Sequence, residues 1–137
     1  MSNFRDVGIF HQRFGLHNVH LLGGAGPVEI TPDLLEFRIG FMQEELQEFI
    51  DASETMDHAG MADALIDLVY VVLGTAHLFG YPWETLWNEV QRANMTKVRA
   101  PDAESSKRNS EFDVIKPDGW TPPDIQGILE RFGWETP

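Results

Sequence analysis

The sequence predicts an all-α fold, a helical bundle that continues into a C-terminal tail. Three observations predict it. Apolar residues recur at helical spacing through most of the first hundred positions, helix start and stop signals bracket those segments, and no internal repeat, low-complexity tract or linker interrupts the 137 residues. A chain of this length fits one domain, 1–137, with a core of about 31–98 and a tail of 99–137, and it can bury a real core.

Residues 3–14, NFRDVGIFHQRF, place Phe4, Val7, Phe10 and Phe14 at helical spacing and predict a short amphipathic helix. The stretch GLHNVHLLGGAGPVEI predicts a glycine-rich loop; its GGAG lacks the strand and helix context of a phosphate loop and reads as a connector. Thr31-Pro32 predicts a helix start, a capping hydroxyl followed by a residue whose φ is already helical. That helix runs to about residue 54, with Leu35, Met42, Leu46, Phe49 and Ile50 on an apolar stripe. After a turn over 55–60, a third helix is predicted from about 61 to 79, stopped by Gly80 ahead of Tyr81-Pro82. Its Met61, Leu65, Ile66, Leu68, Val69, Tyr70, Val71, Val72 and Leu73 cover nearly the whole circumference, the pattern of a central buried helix. Pro82 opens a fourth helix with Trp83, Leu86, Trp87 and Val90 as its buried edge, the tryptophans serving core or interface rather than base stacking. Residues 98–120 are polar and poorly patterned and predict an ordered loop or lid with some extended structure. TPPDIQGILERFG predicts a short closing helix, with Thr121 and Asp124 as a near capping box. So much apolar helix surface exceeds what one small bundle covers, which predicts at least a dimer.

Charge narrows the function classes. Net charge is −12; eleven of the 22 acids lie between Glu29 and Asp67 against a single Arg38, while seven of the ten Lys/Arg follow residue 91. Such a chain is a poor partner for nucleic acid, though divalent cations can bridge its acids to a small polyanion. Cysteine is absent, so no disulfide, thiolate metal site or thiol nucleophile exists. The run LVYVVLGTAHLFG reads as too short for a membrane span, and MSNFRDVGIF lacks the apolar region of a signal peptide, so a cytoplasmic protein is predicted. The five histidines show no ligand spacing and are expected at the surface or at helix ends.

The acids carry the chemistry. At 100° per residue, Glu44, Glu45 and Glu48 fall within one arc of the second helix, and Arg38 and Phe41 share the Glu45 face. Run by itself, EELQE reads as a solvated face. The third helix changes that reading, because Asp63 and Asp67 lie one turn apart in a segment patterned for burial, with no basic residue within it. Carboxylates facing one another across a helical hairpin repel unless divalent cations sit between them, and oxygen-only ligands suit Mg²⁺, with Mn²⁺ as a substitute.

Glu-Glu-x-x-Glu on one helix and an acidic pair ending in Asp67 on the next resembles the MazG-like all-α nucleoside triphosphate pyrophosphohydrolases, which include all-α dUTPases and phosphoribosyl-ATP pyrophosphatase. FRIGFMQEELQEF, DALIDLVYVVLGTA, EVQRANMTKV and the tail VIKPDGWTPPDI are similar to the small phage-type branch. The resemblance implies a four-helix oligomeric core that cleaves an NTP or dNTP to the monophosphate and pyrophosphate. It implies Glu45, Glu48 and Asp67 as magnesium ligands, and Glu44 as an acid that binds a further metal or orients and deprotonates water. Its second motif wants an acid at position 64, where this chain has Ala64; Asp63, one place earlier, is a ligand of lesser standing. Asn94 and Lys97 resemble the nucleotide-contacting pair, Arg38 shares the site's face, and Lys107, Arg108 and Lys116 of the tail are placed to close over the phosphates. Two other readings stand beside this one: a di-metal carboxylate bundle, for which Glu54 and His58 are one residue too far apart to match Glu-x-x-His, and a non-enzymatic acidic interaction module.

Overall fold

Ser2 accepts a hydrogen bond from the Arg5 amide at 3.2 Å and starts α1, Asn3–Arg13, in a computed structural model that describes residues 2–16 and 26–137. The loop expected over 15–30 therefore lies largely outside the described residues, and His17 and His20 lie wholly outside them. Thr31 caps α2, Pro32–Glu54, by accepting from the Leu34 amide at 3.2 Å. The third helix, α3, is His58–Phe79, three residues longer at its start than the pattern predicts. Asp57 explains the difference, since its carboxylate accepts from the Gly60 amide at 3.0 Å and caps a turn that carries no apolar signal. Gly80, at φ 74°, takes the left-handed conformation that ends α3.

Trp83–Met95 forms α4. Two short strands follow, β1 Val98–Arg99 and β2 Val114–Ile115, paired antiparallel with Val98 opposite Ile115. They supply the extended structure expected in the tail. The last helix, α5, is Ile125–Arg131 and is capped by Asp124, which accepts from the Gly127 amide at 3.0 Å. Thr121 is not part of that cap; it accepts from Arg92 on α4 instead. The tail is strapped to α4 at several points. Arg92 pairs with Glu89 at 2.9 Å and donates to the Thr121 and Pro122 carbonyls, Glu89 accepts from the Asp124 amide, and Trp120 donates its indole N–H to the Ala93 carbonyl at 2.8 Å.

The all-α expectation holds, with α2 packed along α3 as a hairpin and α1 lying on the second half of α3. Phe4, Val7, Leu73 and Ala76 form the core cluster, and Tyr70, Tyr81 and Trp83 pack around it. Two histidines belong to this core: His11 and His77 lie in the last turns of α1 and α3, the helix ends expected for them, but are buried, each 3% exposed. His77 stacks flat on Phe4 at 3.7 Å between ring centroids, and its Nε2, 2.6 Å from the Phe4 carbonyl, donates to it.

The expected burial of α3 all round is not found within one chain. Val71 to Phe79 are buried apart from a half-buried Val72, but Leu65, Ile66 and Val69 are exposed, Ile66 at 66%. Length accounts for this: α1, of 11 residues, is about 16 Å long and cannot cover the roughly 33 Å of the 22-residue α3. The apolar stripe of α2 is likewise uncovered at Leu35, Leu46 and Ile50, and Trp87 on α4 is exposed rather than buried. An 18-residue stretch of α3 reaches a mean hydropathy of 1.5, so by length and composition alone the helix is long and apolar enough to cross a membrane, unlike the shorter run LVYVVLGTAHLFG. It is nevertheless the helix on which α1 and α2 pack, and it carries Asp63 and Asp67.

Candidate metal and nucleotide site

The two buried residues of α2 are both charged, Arg38 and Glu45, two helical turns apart on the face turned to α3. Arg38 fixes the register of the hairpin. Its Nε donates to Thr75 Oγ1 at 3.0 Å and its Nη2 to the Val71 carbonyl at 2.8 Å, while Thr75 Oγ1 itself donates to that carbonyl. Gly74 makes room for this, since a Cβ there would lie 2.9 Å from Arg38 Nη2 and 2.6 Å from His11 Nε2. Burial among neutral acceptors lowers the Arg38 pKa from its ordinary value. Two of its donors are thus directed into α3.

That register brings Glu45 to Asp67. Among the described residues, Glu45, Glu48 and Asp67 each offer a carboxylate oxygen, and the three oxygens lie within 4.8 Å of one another. Glu45 is 7% exposed, Asp67 is half-buried and Glu48 is exposed, so the group opens to solvent on one side. Glu45 Oε2 is buried without a hydrogen-bond partner. Its pKa is raised, first by burial and then by the charges of Glu48 and Asp67. Unit charges at 4.8 Å repel by roughly 1 kcal/mol in water and roughly 3 kcal/mol near a protein surface. A folded arrangement that concentrates such repulsion, with one oxygen unsatisfied, has the donor set a hard divalent cation requires. The three residues could hold a metal ion.

The other expected ligands lie apart from this group. Glu44 is exposed and lines a shallow depression on α2 with Glu36, Phe37, Gly40 and Phe41. Asp63 is exposed, whereas Ala64, 100° further round α3, is 2% exposed and occupies the buried face. Of the expected substrate contacts, Asn94 is exposed near the end of α4 and Arg38 is buried at the hairpin. Lys97 and Lys116 come together: their Nζ atoms lie 5.4 and 4.9 Å from the centroid of the same ring, Trp120. Trp120 and Thr75 are the partners that sequence reasoning missed. A signal for Trp120 was present in Lys-Pro-Asp-Gly-Trp, because Gly119 at φ 77° and the Trp120 amide bonded to the Pro117 carbonyl at 3.1 Å make a turn that folds the ring back toward Lys116.

A family model described as phosphoribosyl-ATP pyrophosphohydrolase matches residues 23–94, just over half of the chain, including α2, α3 and all of α4 but its last residue, Met95. The chain belongs to that family. Its members are MazG-like all-α nucleotide pyrophosphohydrolases, hydrolases acting on acid anhydrides, and the acid group of α2 and α3 falls wholly within the matched span. An uncharacterized protein of Acanthamoeba polyphaga mimivirus is 29% identical over 79 residues, 58% of this chain and 31% of that protein. The chain thus spans about a third of the length of that relative.

Proposed function

We propose that the chain hydrolyses a nucleoside triphosphate, NTP or dNTP, to the monophosphate and pyrophosphate, using Mg²⁺ or Mn²⁺ held by Glu45, Glu48 and Asp67. The observation that carries the reading is the buried, unpartnered Oε2 of Glu45 inside a group of three carboxylate oxygens. An acidic interaction module would instead present its acids to solvent. For a di-metal bundle of the Glu-x-x-His kind, a histidine would have to join the acids, and among the described residues the group consists of carboxylates alone.

In this reading the divalent cation, when bound, supplies Lewis-acid charge for the phosphate oxygens and for the attacking water. The chain's own residues do the rest. Arg38 and Thr75 hold the α2–α3 register that keeps Glu45 against Asp67. Glu48, at the open side, would hold the metal where solvent and substrate can reach it. Glu44, outside the close group but next to Glu45 in α2 and one helical turn before Glu48, accepts the proton of the attacking water. Asp63 contributes from a distance by its charge, and Asn94, Lys97 and Lys116 contact the nucleotide. The working molecule is a cytoplasmic homodimer or homotetramer of a single 1–137 domain, in which a second copy covers Leu65, Ile66 and Val69.

The reaction type is tested by incubating a panel of NTPs and dNTPs with Mg²⁺ and separating the products by chromatography. Monophosphate and pyrophosphate are expected. Diphosphate and orthophosphate as the main products would overturn the assignment.

A further inference from the structure

Most of the acids crowd the first half of the chain, yet the tail gathers cations around one cavity. Lys97, Lys107, Arg108 and Lys116 line it together with Ser105, Asp113 and β2, and its volume is about 460 Å³. That size suits a small ligand rather than a macromolecule. The cavity lies beyond the end of the family match at residue 94 and shares no residue with the Glu45, Glu48 and Asp67 group.

Several features make it a built site and not a chance meeting of surface lysines. The strand pairing of β1 with β2, extended by the Ala100 amide bonded to the Asp113 carbonyl at 2.9 Å, forms its backing. Its single carboxylate, Asp113, is already engaged: Arg108 Nη1 donates to both its oxygens at 3.0 Å, and Ser106 Oγ donates to it at 2.6 Å. Among the described residues, Lys97, Lys107 and Lys116 form no ion pair, so their charges remain for a ligand. Trp120 gathers two of them. Its ring, fixed by the indole bond to the Ala93 carbonyl, holds the Lys97 and Lys116 ammonium groups within 5.4 Å of one centroid by cation–π attraction. Like charges drawn to one ring repel, and an anion bound beside them relieves that repulsion.

We propose that this tail cavity is a metal-independent seat for a compact phosphate anion of pyrophosphate size. The chemistry is the same whether the anion is the terminal pyrophosphate group of a bound triphosphate or the free pyrophosphate after release. The proposal deepens the pyrophosphohydrolase reading, and it rests on that reading only for the source of the anion. A long polyanion such as nucleic acid, which would reach beyond the cavity, is disfavoured by the chain's overall net charge of −12.

The test is calorimetric titration of the full chain with inorganic pyrophosphate in EDTA at low ionic strength. Saturable binding is expected, at least tenfold weaker in Lys107→Ala and weaker still in Lys107→Ala with Lys116→Ala, and unchanged in Glu45→Gln. Lys107 is exposed and makes no hydrogen bond among the described residues, so its substitution leaves the fold intact, which circular dichroism checks. Displacement of pyrophosphate by a triphosphate analogue with a methylene bridge between its α and β phosphates, but not by a monophosphate, supports the seat as the one used by substrate. Pyrophosphate binding without such displacement supports it as the product's seat. Absence of saturable pyrophosphate binding, or binding that Lys107→Ala and the double variant leave unchanged, would overturn the proposal. Because Glu45→Gln removes the metal group and spares the lysines, failure of the hydrolysis reading and failure of the seat give different results.

Discussion

At Glu45 a carboxylate is buried beside two others, with one oxygen lacking a partner. Its raised pKa fixes the sign of a stability effect. A carboxyl whose folded pKa lies above its unfolded one destabilises the folded state increasingly as pH rises from the unfolded value to the folded one, in full above it, and not at all below the unfolded value. In EDTA at neutral pH, Glu45→Gln is therefore expected to melt a few degrees higher than wild type, the shift that about 1 kcal/mol gives a domain of this size. With millimolar Mg²⁺ the order reverses, because wild type gains the stabilisation of a ligand bound only to the folded state and the variant loses most of it. Thermal melts with and without Mg²⁺ check both halves. Wild-type curves that coincide in EDTA and Mg²⁺ would mean the acids hold no cation.

The α2–α3 hairpin depends on Gly74 more than helix propensity suggests. Alanine is favoured over glycine in a helix interior by about 1 kcal/mol. At this position, however, a Cβ would lie 2.6 Å from His11 Nε2 and 2.9 Å from Arg38 Nη2, groups held in the buried core. Overpacking costs typically 1–3 kcal/mol and outweighs the propensity gain. Gly74→Ala is expected to lower stability and, by disturbing Arg38, to weaken Mg²⁺ binding at Glu45, which melts and calorimetry together would register. The helices themselves were legible in the sequence, because caps and apolar spacing are local signals: Thr31-Pro32 and Gly80 mark ends that the structure keeps. Asp57 gives a weaker signal as a cap, since only Ala59 lies between it and Met61, where the apolar pattern of α3 begins. Asp67 was legible as a member of the acid group, and Glu45 with it, by their spacing. The burial of His11 and His77, and Thr75 as the partner of Arg38, were not, because they depend on how α1 and α2 lie across α3.

Over the whole molecule, the uncovered apolar surface of α2 and α3 is the feature a single chain leaves unsettled. Leu35, Leu46, Ile50, Leu65, Ile66 and Val69 are all exposed, on the two helices that also carry the acid group. Helical periodicity showed that these residues want burial but could not say whether the same chain or another supplies it. Light scattering at micromolar concentration is expected to give the mass of a dimer or tetramer, and Ile66→Glu to shift it toward the monomer; a wild-type monomer would contradict the oligomeric reading.

The most direct test of the acid group as the hydrolytic metal site is the rate of pyrophosphate release, measured across a Mg²⁺ titration for wild type, Asp67→Asn and Asp63→Asn. Asp67 has an oxygen within the 4.8 Å group and Asp63 does not. Loss of a metal ligand removes several kcal/mol of transition-state stabilisation, whereas loss of an outlying acid lowers the rate by about 10–100-fold. Asp67→Asn is expected to show no turnover at any Mg²⁺ concentration, and Asp63→Asn a reduced rate that added Mg²⁺ or Mn²⁺ partly restores. Turnover by Asp67→Asn at the wild-type rate would contradict the site.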